Sequence, residues 1–174
     1  MEVLIHYMDD YYVEQLVKRI PGNKEMLIKA ASIGLSAMLV ISGLFLFGNG
    51  LVVGLGAIAG FMCYLLLPNL NVEFEYLYLE KELDVDRIYN MEKRKKAGEF
   101  PLEKLEIMAP LNSHSLDQYN SRIIKTYDFT SKVADAKVFA LIINDGGCKK
   151  VLIEPNDALL RAIKNHFPRK VSEY

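Results

Sequence analysis

The sequence lacks charged residues over one long internal stretch. None of the 43 positions from Ala30 to Val72 is Asp, Glu, Lys or Arg, although charged residues make up 25% of the 174-residue chain. A soluble domain of this size rarely leaves so long a segment uncharged, because polar and charged residues normally cover the surface that faces water. The stretch therefore predicts a segment that lies in a membrane.

The chain also lacks an excess of charge of either sign. It has 21 Lys and Arg against 22 Asp and Glu, a formal net charge of −1. Proteins whose main ligand is nucleic acid usually carry a clear basic excess, because they neutralise phosphates. We therefore expect no nucleic-acid partner.

Cysteine is scarce, with Cys63 inside the uncharged stretch and Cys148 far downstream of it. Two isolated cysteines form neither a disulfide framework nor a zinc-ligand pattern. No cofactor and no metal ion are expected.

The uncharged stretch forms most of two apolar segments, residues 26–47 and 51–67, which are separated by Gly48-Asn49-Gly50. Lys29, close to the start of the first segment, is its one interruption. As helices they would be roughly 33 and 25 Å long, against a bilayer core of about 30 Å. They predict a transmembrane helical hairpin over residues 26–69. A buried hairpin in a soluble core is disfavoured, since about 100 other residues would have to cover two helices that are apolar on every side.

Small residues mark the faces on which these two helices are expected to pack. Gly56 and Gly60 lie one turn apart in the second helix, and Gly34 lies in the first. Small residues let helix backbones approach closely in a membrane. The glycine-rich run 54–60 has the wrong spacing for a dinucleotide-binding loop and follows no strand.

Basic residues near the helix ends predict the orientation. Lys18, Arg19 and Lys24 precede the first segment and Lys29 lies close to its start, several Lys and Arg follow the second segment, and the turn at 48–50 has none. The positive-inside rule places both termini in the cytoplasm. The expected location is the cell membrane, with two transmembrane helices.

Residues 1–25 are predicted to contain an amphipathic helix. Val13, Leu16, Val17 and Ile20 follow helical spacing, and Pro21-Gly22 ends the pattern. Such a helix lies either on the membrane surface or against the cytoplasmic domain, and the sequence leaves both placements open.

Residues 70–174 carry the patterns of strands followed by one helix. Apolar residues alternate with acidic ones from Val72 to Tyr78. Asn144-Asp145-Gly146-Gly147 separates two apolar runs and predicts a tight hairpin turn. Asn156 is a good N-cap for a final helix. The count is six or seven strands and then a helix.

This order resembles the pleckstrin-homology-like (PH-like) fold, an antiparallel β-barrel or sandwich with a C-terminal helix. The segments 73–78, 82–90 and 105–110 look like those of small bacterial membrane proteins of unknown function, in which a two-helix membrane hairpin precedes such a domain. The resemblance implies an α+β membrane protein and says little about activity, since that group has no established function.

Many PH domains bind phosphoinositides through basic residues in the first hairpin, but this chain departs from that pattern. Lys81 and Arg87 stand among the acidic residues Glu80, Glu82, Asp84 and Asp86. The stronger basic feature is Lys93-Arg94-Lys95-Lys96. Because the domain is tethered close to the bilayer, we expect this cluster to face anionic lipid head groups.

Catalytic motifs are weak. The loop Asn112-Ser113-His114-Ser115 brings hydroxyl groups and a histidine together but supplies no orienting group or oxyanion site. Asp84 and Asp86 share one face of a strand without an evident third metal ligand. No catalytic residue and no enzyme activity are predicted.

The function predicted from the sequence is that of a membrane-anchored adaptor or scaffold. Its cytoplasmic module would bind another protein, a second copy of the chain or lipid head groups. The alternative is an accessory or regulatory subunit of a larger membrane complex such as a transporter.

Overall fold

The computed structural model describes residues 12–45, 50–66 and 72–172. The chain forms two compact units. One comprises Ile20–Val72, and the other joins the segment that ends at Arg19 to the segment that begins at Glu73.

The first unit consists of two helices, α1 (Asn23–Phe45) and α2 (Gly50–Leu66). The predicted segments 26–47 and 51–67 fall on these helices, with their last residues outside the described ranges. By length and composition, one helix is able to cross a membrane, over Met26–Phe45, while α2 contains a shorter apolar segment, Gly50–Cys63.

The two helices pack against each other in antiparallel directions. Later positions of α1 meet earlier positions of α2: Ser36 lies by Gly60, Val40 by Gly56, and Gly43 by Val53. The side chains of Ser36 and Cys63 extend this series, with 3.9 Å between Oγ and Sγ. The Ser36 hydroxyl also donates a hydrogen bond to the carbonyl of Ser32, which satisfies it within an apolar helix.

The second unit contains two four-stranded sheets. The first sheet is ordered β1-β2-β3-β4, with bounds β1 (Tyr12–Lys18), β2 (Val72–Leu79), β3 (Glu82–Tyr89) and β4 (Lys93–Pro101). Glu80 and Lys81, both at positive φ, make the turn between β2 and β3. The predicted alternation over 72–78 is confirmed, since Phe74, Tyr76 and Tyr78 are all buried.

The amphipathic helix predicted within residues 1–25 is wrong for residues 12–18, which form β1. The same residues also alternate: Val13, Gln15 and Val17 share one face of a strand. Pairing with β2, with Lys18 opposite Glu73, decides between the two patterns, because it covers an otherwise free edge of the sheet. Residues 1–11 lie outside the described residues. The second unit therefore includes β1 in addition to strands and a helix from the predicted 70–174.

The second sheet is ordered β5-β7-β8-β6, with bounds β5 (Leu105–Pro110), β6 (Ile123–Asp128), β7 (Phe139–Asn144) and β8 (Cys148–Ile153). The prediction of an entirely antiparallel barrel or sandwich is wrong here, since β6 and β8 are parallel. The tight β7–β8 turn makes those strands neighbours and β5 takes the outer edge of β7. Strand β6 therefore pairs at the remaining edge, that of β8.

The predicted hairpin and final helix are confirmed. The turn between β7 and β8 places Gly146 at φ 62° and Gly147 at φ 132°. Residues other than glycine rarely adopt this backbone conformation. The final helix is α3 (Asp157–His166), and the Asn156 side chain accepts a hydrogen bond from the Leu159 amide at 2.8 Å.

Buried apolar side chains from both sheets and from α3 form the core of this unit. They are Phe74, Tyr76, Tyr78, Leu83, Val85, Leu141, Ile143, Val151, Ile153, Leu159 and Ile163. Gln15 ties β1 to the far end of the chain: its Nε2 donates to the Glu154 carbonyl at 2.6 Å, and the Asn156 amide donates to its Oε1 at 2.8 Å.

Candidate functional site

A distinctive surface of the second unit is the end of the β3–β4 hairpin, residues 89–96, here called the hairpin tip. The chain leaves this unit after Lys18 and returns at Glu73, and these two residues are register partners. Strand β3 runs back alongside β2, so the β3–β4 turn lies at the same end of the sheet. The hairpin tip and both connections to the helices therefore share one end of the sheet.

The four basic residues of the predicted cluster point to two faces of the sheet, Lys93 and Lys95 to one and Arg94 and Lys96 to the other. Arg94 lies on the face that carries acidic residues. Its Nη2 is 2.6 Å from Glu75 Oε2, and its Nε is 3.8 Å from Asp86 Oδ2. Burial raises the pKa of Glu75, and the positive charge of Arg94 opposes that rise. Arg94 thus neutralises a nearly buried carboxylate.

Lys96 lies on the same face, among three carboxylates. Its Nζ is 2.5 Å from Glu99 Oε2 and 3.3 Å from Asp84 Oδ1. A third carboxylate, that of Glu82, lies within 4.8 Å of these two. The hydrogen bond from Lys96 lowers the pKa of Glu99, while a hydrogen bond with Glu99 raises the pKa of Glu82. The lysine ammonium therefore supplies positive charge where a bound cation would.

Lys93 and Lys95 lie on the opposite face. Lys95 pairs directly with Arg87, and Lys93 with Tyr89. The Arg87 guanidinium lies over the ring of buried Phe74, 5.5 Å from its centroid, which fixes this face as the one that turns toward the core. Arg87 Nη1 donates to the Tyr89 hydroxyl at 3.4 Å, and its buried Nε has no hydrogen-bond partner among the described residues.

A β-bulge decides which residues share a face. Val85 pairs with Gly98, but the next residue, Asp86, pairs with Lys96, so the ladder skips Ala97. A bulge shifts the alternation of one strand by one residue. Glycine fits at position 98 because a Cβ there would lie 2.5 Å from ring atoms of Phe100. The sequence signals the irregularity by Gly98 but not its consequence for the cluster.

The turn of the hairpin tip presents an exposed apolar side chain. Asn90 and Met91 both have positive φ, 52° and 59°. Asparagine tolerates this conformation, whereas it is uncommon for methionine. The Met91 side chain is 77% exposed. Sequence analysis missed Met91, since a single methionine in a polar turn gives no periodic signal.

The predicted packing glycines occupy different environments. A Cβ on Gly56 would lie 2.9 Å from the Val40 backbone nitrogen, so Gly56 is at a close approach of the helices. A Cβ on Gly60 would be 3.8 Å from that of Ser36, and one on Gly34 would meet nothing within 4 Å among the described residues. Whether Gly34 packs on another chain stays a prediction. Gly43, missed from the sequence, lies as close to Val53 as Gly56 does to Val40.

The other candidate residues are distributed over separate sites. His114 is fully exposed and lies 3.3 Å from Asp117 Oδ2, in an open setting unlike that of a shielded catalytic base. His166 is 2.6 Å from the Tyr78 hydroxyl, and burial raises the pKa of Tyr78 to about 12. His6 lies outside the described residues, and Cys63 and Cys148 are free thiols.

A groove of about 650 Å³ lies elsewhere on the second unit. It is bordered by the end of β5, the segment before β7 and the start of α3. Leu111, Val138 and Leu160 contribute apolar surface, and Lys137 and Asp157 contribute one charge of each sign. Its lining suits an apolar side chain of a partner more than a charged ligand.

Comparison with known proteins identifies the domain type. A family model described as a bacterial PH-like domain (DUF6106) matches residues 9–173. The match begins before α1 and continues almost to the last residue, so the family includes the segment that contains β1 and both helices. No curated protein and no solved structure matches the chain.

Proposed function

The chain belongs to this bacterial PH-like family, and we propose that it is a membrane-anchored, non-catalytic adaptor. In this proposal α1 and α2 cross the cell membrane as a hairpin. The second unit, which carries both sheets and is called the PH-like unit from here on, lies on the cytoplasmic side, where it binds another protein or a second copy of the chain. The observation that carries the proposal is that a pair of helices without any charged residue after Lys29 is inserted between the first two strands of a binding-type domain.

The outward faces of the helix pair support a lipid environment. Large apolar side chains remain exposed although the helices pack together; Leu27 is 72% exposed, Phe45 83% and Leu51 79%. Soluble proteins rarely expose so continuous an apolar surface. Hydrocarbon tails would cover these side chains without a hydration cost.

The helix lengths are compatible with two crossings. The 23 residues of α1 extend about 35 Å, and the 17 residues of α2 about 25 Å. A bilayer core of about 30 Å accommodates a short helix by local thinning. Each helix satisfies its own backbone hydrogen bonds, as lipid requires.

Charge distribution supports the proposed orientation. Basic residues flank the helices on the side of the PH-like unit, and the connection at residues 46–49 contains none. The proposed arrangement has the termini and the whole PH-like unit in the cytoplasm. It also keeps the free thiol of Cys148 in a reducing compartment.

Membrane fractionation tests the anchor. The full chain, expressed in bacteria, should remain in the membrane pellet after an alkaline carbonate wash and be released by detergent. A matched control joins Arg19 to Val72 through Asn-Gly and thus lacks both helices. This control should be recovered in the soluble fraction. Release of the full chain by carbonate would contradict the anchor.

The absence of charge from the apolar parts of both helices also favours a second candidate function, that of an accessory subunit. Neither α1 after Lys29 nor α2 contains a charged residue, and transport paths usually contain intramembrane polar or charged groups. A role in transport would therefore require a partner that supplies the path. Purification in mild detergent separates the candidates: a stoichiometric membrane complex favours the subunit, and a lone chain or homo-oligomer favours the adaptor.

A further inference from the structure

One face of the β3–β4 hairpin, at the hairpin tip and the adjoining Arg87, concentrates positive charges that form no ion pair within the described part of the chain. Arg87 and Lys95 are directly opposite each other, and Lys93 is next along the same face of β4. Like charges directly opposite across two strands repel. On the other face, Arg94 and Lys96 are each paired with carboxylates. The unbalanced face is therefore complementary to an anionic surface.

The turn adds an apolar group beside these charges. Met91 is exposed at the end of the hairpin in an unfavourable backbone conformation, which persists only where surrounding structure holds it. Lys93 follows Met91 by two positions, with Glu92 between them. An apolar side chain close to basic residues is a combination with which peripheral segments enter the boundary between head groups and acyl chains.

Chain connectivity places this turn at the appropriate end of the sheet. Four residues, 19–22, separate β1 from α1, so the Cα atoms of Lys18 and Asn23 are at most about 18 Å apart. Lys18 pairs with Glu73 at the end of the sheet that also carries the hairpin tip. A helix anchored in a bilayer would thus keep this end near the lipid surface.

We propose that the hairpin tip docks on an anionic bilayer surface. Met91 enters the head-group region, while the exposed Lys93 and Lys95 contact lipid phosphates and Arg87 adds positive charge beside them. Arg94 and Lys96 stabilise the sheet and do not contact lipid. This inference rests on the proposed membrane anchor and assigns a second, reversible contact between the PH-like unit and the membrane.

Tryptophan fluorescence tests the contact, because the chain contains no tryptophan. The full-length Met91→Trp variant is reconstituted into vesicles of phosphatidylcholine with or without phosphatidylglycerol. With anionic lipid, its emission should shift to the blue and be quenched by lipids brominated on the acyl chains. In pure phosphatidylcholine the quenching should be lost, and high salt should weaken it as the screening length shortens.

Two adjacent lysines provide the matched charge control. In the Met91→Trp background, Lys95→Ser should reduce quenching several-fold more than Lys96→Ser, although both remove one positive charge. Equal losses of quenching in the two variants would show that the cluster acts through its total charge, and would overturn the assignment of faces. A second control, Leu79→Trp at the opposite end of β2, should stay unquenched in both lipids.

Incorporation is measured separately by flotation of the same vesicles. If the chain floats and the tryptophan introduced at position 91 remains unquenched with anionic lipid, the docking proposal is wrong and the anchor stands. Failure of the full chain to float would instead contradict the anchor. Strong quenching of the introduced tryptophan in pure phosphatidylcholine would show that the apolar contact forms without anionic lipid. That result would refute the role of the lysines.

Discussion

Lys18 and Glu73 are directly opposite each other in the β1–β2 ladder, although both helices lie between them in the sequence. The helix pair is thus an insertion within the first β-hairpin of the PH-like unit.

This relationship predicts that the helices are dispensable for folding but that β1 is required. Joining Arg19 to Val72 through Asn-Gly, a favoured two-residue hairpin turn, should give a soluble, monomeric, β-rich domain. Residues 72–172 alone should be less stable and aggregate, because β2 then has a free edge. Urea unfolding and size-exclusion chromatography check both chains.

Equal stability of the two chains would contradict the role of β1. A third chain, the joined domain with Gln15→Ala, refines the test. It loses both hydrogen bonds that link β1 to residues 154 and 156, and we expect a loss of about 1–3 kcal/mol in the free energy of unfolding.

Close helix contact at Gly56 predicts a difference between two chemically identical substitutions. Gly56→Ala should destabilise the helix pair by about 1–3 kcal/mol, because the new Cβ would lie 2.9 Å from backbone of α1. Gly34→Ala is the matched control, since its Cβ would meet nothing within 4 Å among the described residues. Thermal unfolding in mild detergent measures both.

If Gly34→Ala destabilised the protein as much as Gly56→Ala, Gly34 would lie at a contact that a single chain does not show. Such a result, together with a smaller oligomer, would place Gly34 between two copies of the chain. Equal stability of all three proteins would contradict the close approach at Gly56.

The surroundings of Asp128 lead us to expect that the stability of the protein changes with pH in the acid range. Burial acts to raise the pKa of Asp128, but hydrogen bonds from Lys132 and Thr130 outweigh it and leave the pKa below its ordinary value. A carboxylate whose pKa is lowered by folding stabilises the protein above its unfolded pKa, which is about 4. That stability is lost as the pH falls through the lower, folded pKa.

Thermal unfolding of the wild type and of Asp128→Asn checks this at a series of pH values below about 5. The difference between them should shrink as the pH falls, because protonation removes the charge that Asn also lacks. Parallel curves over the whole range would contradict the role of Asp128. The hydrogen bond from the Thr130 amide, 3.1 Å long, can persist in the Asn variant.

Features of the fold that depend on local chemistry were predictable from the sequence. The turn at Asn144–Gly147 and the cap at Asn156 were both confirmed, because a few neighbouring residues determine each. The apolar alternation of β2 was confirmed for the same reason. Both apolar segments were also found as helices, since their composition alone favours them.

Features of the fold that depend on partners distant in the sequence were not predictable from the sequence. Residues 12–18 fit a helical and an alternating pattern equally, and only β2, on the far side of the helices in the sequence, selects the strand. The parallel pairing of β6 follows from which edge the β7–β8 hairpin leaves free. These outcomes are set by tertiary pairing rather than by local propensity.

The candidate site was found from the sequence only as a run of four basic residues. Arg94 and Lys96 form ion pairs, and Lys93 and Lys95 form none within the described part of the chain. This division needs the register of β3 and β4, including the bulge next to Val85. The alternation of a strand alone places neighbouring basic residues on opposite faces. It does not show whether Arg94 and Lys96 or Lys93 and Lys95 lie beside the carboxylates.

The central claim, a two-helix anchor with the PH-like unit in the cytoplasm, is tested most directly by cysteine accessibility. Native Cys148 is unsuitable as a reporter because it is buried. The measurement therefore uses Asn49→Cys, between the helices, and Asp135→Cys, at an exposed position of the PH-like unit, each in a background with Cys63 and Cys148 replaced by Ala.

Intact cells are treated with a membrane-impermeant maleimide before and after permeabilisation. The account predicts that the Asn49→Cys variant reacts in intact cells and that the Asp135→Cys variant reacts only after permeabilisation. Reaction of the Asp135→Cys variant but not of the Asn49→Cys variant in intact cells would reverse the orientation. Reaction of both variants only after permeabilisation would show that the connection between the helices never reaches the outer side, and would contradict the two-helix anchor.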